Sequence, residues 1–315
     1  MTLPSRHTLS TGLRRPLAAL LAGTLALAGL PGQACTRLVY IGAGNDVITA
    51  RSMDWKTDVA TNLWIFPRGM ARSGDVPFLH SFCVFASRRC YDQVAMQIAY
   101  PRLNVKLVGF LPGLTTILGV SHQAIDDLAL MRALPNMTVI EPSGPEQMAG
   151  AVEAALAHDG PVYLRMTRAT EPLAEDFRPR PLARGVAEML RDGPDGLILA
   201  IGNMVPAALE AAALLEADGL RVAVVNVATL KPLDAGLVAL ARARGTVVTA
   251  ENHSIVGGLG SAVAELLLEA AAPVRFARVG VRDTFAEGGS TPYLRKKHGL
   301  TAADIASAFR QARGA

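Results

Sequence analysis

Three side chains in this sequence could bind or transform a small molecule. His122 is suited to proton exchange with hydroxyl and carbonyl groups, because an imidazole titrates near neutral pH. Its alternative role is structural, with the ring hydrogen-bonded to backbone at a helix start. Phe82 and Phe85 lie near a predicted strand-to-helix turn, followed by Arg88 and Arg89. Aromatic rings there could stack on a flat heterocycle, although phenylalanines at this spacing more commonly belong to a hydrophobic core.

Two segments could bind an anion. Residues 251–261, Glu-Asn-His-Ser-Ile-Val-Gly-Gly-Leu-Gly-Ser, follow a predicted strand and open a helix, and they contain His253. Backbone amides at such a start could hold a phosphate, while the glycines would equally serve close packing or a subunit contact. Arg165 and Arg168 flank the end of another strand. An arginine there could clamp a phosphate or remain a solvated linker charge.

Cys35 offers a different chemistry near the front of the chain. If processing made it the N-terminal residue, it would carry a thiol nucleophile and an α-amine that could act as its base. Arg51 and Asp54, in or just after the next predicted strand, could orient that amine and lower the pKa of the thiol. The alternative is a lipidated or merely buried cysteine.

A helix, followed by a turn and a strand, must position His122. Ser121 could cap this helix, Asp126 and Asp127 lie near its positive end, and Pro135 would end it. The pattern around it predicts strands at 78–85, 105–110, 137–140 and 161–167 and helices at 86–100 and from Ser143, where Ser143 and Glu146 form a capping box. Such alternation predicts a mostly parallel sheet, and His122 would lie beyond a strand end, where open α/β sheets bind ligands.

The alternation resumes after a segment rich in proline and charge, predicted as a linker over residues 171–194. The second unit, residues 195–315, is predicted to contain strands at 197–201, 222–227, 246–250 and 274–279. Helices are predicted at 205–217, from Asp234, at 261–269 and after Thr301, which with Asp304 forms a capping box. The fold class is therefore α/β, with two units and mostly parallel sheets, preceded by a short β-rich fragment over residues 35–74.

Composition and charge narrow the function classes. The chain has 315 residues, half of them hydrophobic, so it can bury a sizeable core. Its net charge is +4, but no basic stripe is interleaved with aromatic residues, and this argues against nucleic-acid binding. Arg14 and Arg15 precede an apolar run over residues 17–30, and Gly32 and Ala34 fit a signal-peptidase site before Cys35. Residues 1–34 are therefore predicted to be a signal peptide, which implies export.

From about Val76 onward the sequence resembles the C-terminal half of transketolase-type enzymes, and especially the separate C-terminal subunits of split enzymes. The matching segments begin at Phe82, Ser121, Met131, Thr229 and Glu251 and occur in the family's order. The resemblance implies a partial pyrimidine-binding domain over residues 75–170, followed by a smaller α/β C-terminal domain. It also implies a cytoplasmic protein, in contrast to the predicted signal peptide.

The resemblance further implies thiamine diphosphate as cofactor and two-carbon ketol transfer between sugar phosphates. Phe82, Phe85 and Arg88 would contact the cofactor, His122 would be catalytic, and Arg168 and His253 would bind substrate. The diphosphate and its Mg²⁺ would be held mainly by an N-terminal partner subunit on a homodimeric core, and no metal ligand is expected in this chain. The glutamate that activates the cofactor has no counterpart before Val76, so the chain is expected to be inactive alone.

Residues 35–74 instead resemble the start of choloylglycine hydrolase and penicillin V acylase type amidases, which use an N-terminal nucleophile. Cys35, Arg51 and Asp54 stand where that family's pattern places its catalytic residues. An exported cysteine amidase is therefore the alternative function, and a non-catalytic dimerisation or interaction module is a third. Leu118, where transketolases often have an acidic residue, departs from the sugar-binding pattern.

Overall fold

The computed structural model describes residues 35–41, 47–53, 70–72, 74–167 and 182–314, and only the backbone of the two strands before Gly74. Two sheets organise this part of the chain, one of seven strands and one of five. The predicted signal peptide lies outside the described residues. In the part of the chain that the structure describes, no helix is both long and apolar enough to cross a membrane.

The first sheet is built around four parallel strands, in the order β5-β6-β4-β3. They are β3 (Phe78–Phe82), β4 (Lys106–Phe110), β5 (Thr138–Ile140) and β6 (Val162–Met166). The strands β5 and β6 are buried along their whole length, as expected of parallel strands covered by helices on both faces. The alternation predicted for residues 75–170 is present, with strand ends shifted by one to three residues.

A hairpin of two strands extends this sheet at the edge of β3. The strands are β1 (Cys35–Ile41) and β2 (Val47–Met53), which pair antiparallel, and Leu38 of β1 stands opposite Leu79 of β3. The predicted β-rich fragment thus contributes two strands to the first sheet. An isolated hairpin is at best marginally stable, whereas an open sheet edge offers it unpaired backbone groups.

Between β3 and β4 the chain forms one irregular helical segment rather than the predicted helix over residues 86–100. It comprises α1 (Cys83–Ser87), a 3₁₀ turn (Arg88–Cys90), α2 (Tyr91–Val94) and a π-helical turn (Ala95–Ala99). The helical conformation begins directly after Phe82, so the predicted strand over residues 78–85 ends three residues early. Phe82 and Phe85 consequently flank the strand-to-helix turn.

The helix predicted to begin at Ser121 begins later. It is α3 (Asp127–Ala133), with Asp126 at its N-cap, and Ser121 lies in the preceding loop. The next helix, α4 (Pro145–Ala157), has Gly144 at its N-cap and no side-chain capping bond, so the predicted capping box at Ser143 is wrong. The Ser143 hydroxyl instead lies 3.0 Å from Gln147 Oε1.

The second sheet has the order β12-β11-β8-β9-β7, parallel except for β7. Its strands are β7 (Glu188–Pro194), β8 (Leu197–Ala200), β9 (Val222–Asn226), β11 (Thr246–Ser254) and β12 (Arg275–Val281). The helices of this unit are α5 (Val205–Ala217), α6 (Leu237–Arg244), α7 (Leu259–Glu269), α8 (Thr291–Lys297) and α9 (Ala302–Arg313). The capping box of Thr301 and Asp304 is confirmed at the start of α9. The end of the predicted linker forms the edge strand β7.

The two sheets are joined by a strand and by a shared core. Strand β10 (Thr229–Lys231) follows β9 in sequence but pairs antiparallel with β5 of the first sheet. One continuous hydrophobic cluster contains Leu79 and Leu128 from the first unit and Leu197 and Leu259 from the second. The fold is therefore two α/β units with mostly parallel sheets, as the sequence predicted.

Candidate functional site

Three aromatic rings meet at the carboxyl end of β3. The ring centroid of His122 lies 5.6 Å from that of Phe82 and 5.1 Å from that of Phe85, and the two phenylalanines are 5.5 Å apart. Both contacts of His122 are edge-to-face, which is a favourable arrangement for aromatic pairs. All three side chains are only partly buried. This ring cluster, Phe82, Phe85 and His122, presents aromatic surface on which a flat ligand could rest.

The topology explains why these residues meet although forty positions separate them. Phe82 ends β3 and Phe85 lies in α1, while His122 lies in the loop that leads from β4 to α3. Strands β3 and β4 are parallel neighbours, so their carboxyl ends and following loops lie at the same edge of the sheet. The Ser121 hydroxyl lies 2.9 Å from His122 Nδ1 and so fixes the orientation of the imidazole.

Arg88 is hydrogen-bonded to the loop that follows His122. Its Nε donates to Asp126 Oδ1 at 2.9 Å, and its Nη2 donates to the carbonyl oxygen of Gln123 at 2.6 Å. These bonds give Arg88 a positioning role, and its contact with a cofactor stays a prediction. The neighbouring Arg89 is exposed, and its guanidinium carbon lies 4.0 Å from the centroid of the Phe85 ring. This cation–π contact orients the ring from its outer side.

Behind the ring cluster lies a buried network of charges centred on Arg165. Its Nε and Nη2 donate to Asp127 at 2.8 and 3.0 Å, and its Nη1 donates to both carboxylate oxygens of Glu141 at 2.9 Å. The Tyr163 hydroxyl donates to Asp127 Oδ2 at 2.7 Å. Arg165 is completely buried, so the prediction that it could clamp an external phosphate is wrong. The guanidinium is already saturated by two carboxylates and by backbone carbonyls.

The pKa values of these two buried carboxyls are shifted in opposite directions. Burial by itself raises the pKa of Asp127, but Arg165 outweighs it and holds that pKa below its ordinary value. Burial raises the pKa of Glu141 to about 7 against the opposing pull of Arg165. Sequence patterns did not indicate this network, because its members come from three separate elements. A charged residue within an otherwise apolar strand, such as Arg165 in β6, was the available signal.

The glycine-rich turn after β11 is filled by the protein's own carboxylate. Glu251 accepts hydrogen bonds from the backbone amides of Leu259 and Gly260 at 2.7 and 2.8 Å and so occupies the amino end of α7. Burial raises the pKa of this carboxyl to about 7, against the effect of the two amides. A Cβ at Gly258 would overlap Glu251 Oε2, which explains the glycine. The alternative of close packing therefore holds for this turn, and the predicted anion site there is corrected.

His253, predicted to bind substrate, is fully enclosed. Its Nδ1 lies 2.7 Å from the carbonyl oxygen of Ser254, and its Nε2 accepts from the amide of Ala129 at 3.4 Å. A carbonyl can only accept and an amide can only donate, so the ring is neutral with its proton on Nδ1. Burial lowers the pKa of His253 to about 4, which agrees with a neutral ring. The residue joins β11 to α3 and presents no nitrogen to a ligand.

For two other predicted sites the structure describes no side chains. Arg168 and Asp54 lie outside them, and of Cys35 and Arg51 only the backbone is described. In the β1–β2 hairpin Cys35 stands opposite Met53, and Arg51 stands opposite Arg37. The amidase site of Cys35, Arg51 and Asp54 therefore stays a prediction.

The loop before His122 and a loop of the second unit together form an apolar surface. Ile117, Leu118 and Val120 are 69%, 52% and 42% exposed, and Phe285 is 67% exposed. The Gln123 Nε2 donates to the carbonyl oxygen of Glu287 at 3.0 Å, which ties the two loops together. Exposed apolar residues grouped in this way are characteristic of interaction surfaces.

Comparison with protein families agrees with this architecture. Residues 65–172 match the transketolase pyrimidine-binding domain, and residues 185–305 match the transketolase C-terminal domain. The chain is 48% identical over 245 residues to the 6-deoxy-6-sulfo-D-fructose transketolase subunit of Clostridium sp. (strain MSTE9), covering 77% of this chain and 76% of that subunit. It is 38% identical over 258 residues to 1-deoxy-D-xylulose-5-phosphate synthase 1 of Geobacter sulfurreducens, covering 79% of this chain and 40% of that enzyme.

Solved structures give the same result. A split-gene transketolase, described as an inactive β4 tetramer, superposes with a TM-score of 0.75 at 42% identity, over 82% of each chain. Transketolase from Leishmania mexicana superposes with a TM-score of 0.63 over 81% of this chain and 37% of that one; at 23% identity this likeness concerns the fold alone. The chain therefore belongs to the transketolase family and is similar to the split subunits that carry the pyrimidine-binding and C-terminal domains.

Proposed function

We propose that this chain is the C-terminal subunit of a two-subunit enzyme that moves a two-carbon ketol unit between sugar phosphates with thiamine diphosphate. The observation that carries the proposal is the ring cluster of Phe82, Phe85 and His122 at the carboxyl end of β3. Its partly exposed aromatic surface suits the flat aminopyrimidine of the cofactor. Membership of the transketolase family supports the same choice of cofactor.

The residues of this chain would bind and orient, while the cofactor performs the bond chemistry. When bound, thiamine diphosphate supplies the carbon nucleophile and the electron sink for breaking and forming the carbon–carbon bond. Phe82 and Phe85 would contact its pyrimidine ring, and Arg89 would hold the Phe85 ring in place. His122, oriented by Ser121, would hydrogen-bond substrate oxygens. Arg168 would bind the phosphate of the sugar, as the family resemblance implies.

The site is proposed to be completed by an N-terminal subunit that holds the diphosphate and Mg²⁺. Two features support this assignment. The apolar surface of Ile117, Leu118, Val120 and Phe285 adjoins the loop of His122 and would be covered by such a partner. The similar split-gene transketolase is described as an inactive β4 tetramer.

Reconstitution tests the proposal. The purified chain is incubated with thiamine diphosphate, Mg²⁺, a ketose phosphate donor and an aldose phosphate acceptor, with and without the N-terminal transketolase subunit of the same organism. Product is expected only when both subunits are present, and His122→Asn should lower the activity of the pair without preventing their association. Turnover by the chain alone would contradict the requirement for a partner. An inactive pair that associates stably would contradict the proposed reaction.

A further inference from the structure

The loop that carries His122, residues 111–126 between β4 and α3, is closed at its base. Pro112 and Ala124 form an isolated β-bridge, and the Gly113 amide donates to the carbonyl oxygen of Ala124 at 2.9 Å. A surface loop whose two ends are joined in this way keeps its own conformation, but its position on the protein depends on contacts with neighbouring elements. The contacts of this loop therefore determine where the imidazole lies.

The end of β11, residues 252–254, is hydrogen-bonded to this loop on both sides of the imidazole. On the amino-terminal side, Asn252 Oδ1 accepts from the amide of Leu114 at 3.0 Å. On the carboxyl-terminal side, the amide of Ser254 donates to the carbonyl oxygen of Ile125 at 2.8 Å. Because β11 belongs to the second sheet and the loop follows a strand of the first, these bonds hold the loop to the second unit.

Asn252 is itself fixed from two directions. The residue is only 1% exposed, and its carbonyl oxygen accepts from Nη2 of the buried Arg165 at 3.1 Å. On the side of the loop, Gly113 has a φ of +55°, and a Cβ at this position would lie only 2.2 Å from the Asn252 carbonyl oxygen. Only glycine permits so close an approach of the two backbones. A side chain enclosed in this way can act on the ring cluster only through the loop.

A second contact with the same unit lies beside the imidazole. Gln123 follows His122 directly and is 2% exposed, and its Nε2 donates to the carbonyl oxygen of Glu287 at 3.0 Å. A Cβ at Gly119 would lie 3.3 Å from the backbone nitrogen of Gly288, so the two loops are in close contact there as well. The loop is thus anchored to the second unit both at its base and next to the imidazole.

We propose that Asn252 is a positioning residue for His122. Through its bond to the Leu114 amide it holds the loop in the place where the imidazole meets the rings of Phe82 and Phe85. The catalytic consequence of this role rests on the proposed ketol transfer, whereas the place of the imidazole can be measured without it. The second unit is then part of the machinery that orders the ring cluster.

Three substitutions separate this role from a general effect on packing. Asn252→Leu keeps nearly the same shape but removes the acceptor of the Leu114 amide, and an unpaired buried amide is unfavourable enough to displace the loop. Asn252→Asp retains an acceptor oxygen and replaces Nδ2, which has no hydrogen-bond partner among the described residues. Asn226→Leu is the matched control, because Asn226 is equally buried and donates to Gln147 Oε1 of the first unit, away from the loop.

Nuclear magnetic resonance of the full chain, labelled in histidine and free of cofactor and partner, measures the place of the imidazole. The ring of His122 lies 5.6 Å from that of Phe82 and 5.1 Å from that of Phe85, so the chemical shifts of its protons depend on these distances. The His122 resonances are those missing from the spectrum of His122→Asn. We expect Asn252→Leu to shift them, and Asn252→Asp and Asn226→Leu to leave them at their wild-type positions.

The activity of the two-subunit enzyme is the second measurement. A displaced His122 should slow turnover without loosening the cofactor, so Asn252→Leu should lower kcat by about tenfold or more while the KM for thiamine diphosphate changes by less than about twofold. Asn252→Asp should restore most of the lost kcat, because it restores the acceptor. Asn226→Leu should have the kcat of the wild type.

Circular dichroism establishes that each variant is folded, and Asn252→Ala takes the place of Asn252→Leu if the leucine variant does not fold. The proposal is overturned if the His122 resonances of the folded variant stay at their wild-type positions, or if Asn226→Leu shifts them as far. It is also overturned if Asn252→Asp loses as much kcat as Asn252→Leu. An inactive wild-type pair would contradict the proposed ketol transfer alone, and the resonances would still decide the role of Asn252.

Discussion

The guanidinium group of Arg165 and the carboxylate of Asp127 form an ion pair that is completely enclosed by protein, with two hydrogen bonds of 2.8 and 3.0 Å. Asp127 is the first residue of α3, and the loop that carries His122 ends there. The pair therefore connects strand β6 to the loop that presents the imidazole. We therefore expect the order of the ring cluster to depend on this buried charge pair.

Removing one partner of this pair should be strongly destabilising. In Asp127→Asn the charge of Arg165 remains buried with only Glu141 to balance it, so we expect a loss of about 3–5 kcal/mol in the free energy of unfolding. Asp218→Asn breaks the exposed pair with Arg310 and should cost at most about 1 kcal/mol. Chemical denaturation followed by circular dichroism measures both. Equal losses in the two variants would show that the buried pair contributes no more to the free energy of unfolding than the exposed pair does.

The neutral state of His253 predicts a pH dependence of stability. Its pKa is about 4 in the folded protein against an ordinary value of 6.5, so between these pH values only the unfolded chain takes up the proton. The contribution of His253 to the free energy of unfolding is therefore fully present above pH 6.5. It is lost as the pH falls towards 4, at about 1.4 kcal/mol per pH unit.

Comparison with His253→Gln isolates this effect, because the raised pKa values of Glu141 and Glu251 act in the opposite direction in both proteins. The difference in unfolding free energy between wild type and variant should shrink steadily from pH 6.5 to pH 4. Denaturation curves at four pH values in this window provide the measurement. A difference that stays constant would show that His253 is protonated to the same extent in the folded and in the unfolded protein.

The aromatic surface predicts the behaviour of Phe85→Leu. Leucine keeps the residue apolar but removes the ring that contacts His122 and Arg89, so the fold should persist while cofactor binding weakens. Loss of one aromatic contact of about 1 kcal/mol corresponds to an about fivefold higher concentration of thiamine diphosphate for half-maximal activity. The assay is a cofactor titration of the two-subunit enzyme. Phe276→Leu, in β12 of the second sheet, is the matched control and should leave this concentration unchanged.

Close packing at the glycine-rich turn predicts a steric effect at Gly258. A methyl group there would overlap Glu251 Oε2 and lie 2.7 Å from His253 Nδ1, so Gly258→Ala should destabilise the fold by about 1–3 kcal/mol. At Gly236, whose φ is −62°, the atom nearest to such a methyl group is Asp234 Oδ1 at 3.0 Å, so the same change should cost less. Thermal unfolding of the two variants is the test. A stable Gly258→Ala protein would mean that the turn has room for an external anion.

The larger features of this protein can be predicted from its sequence because they depend on local patterns. Alternating strands and helices determined the fold class, and helix α5 was predicted with its observed bounds of residues 205–217. The capping box of Thr301 and Asp304 was recognised because both residues act within one helical turn. The order of the motifs around Phe82 and His122 likewise indicated the family.

Only the tertiary structure decided which polar groups are already satisfied within the protein. Arg165 meets Asp127 across 38 positions of sequence, and Glu251 fills the helix start that the glycines would otherwise leave open to an anion. Likewise, the side-chain amide of Asn203 has no hydrogen-bond partner among the described residues, which its sequence context does not indicate. Local composition indicates what a side chain could bind, but its availability depends on long-range contacts that form when the two sheets pack together.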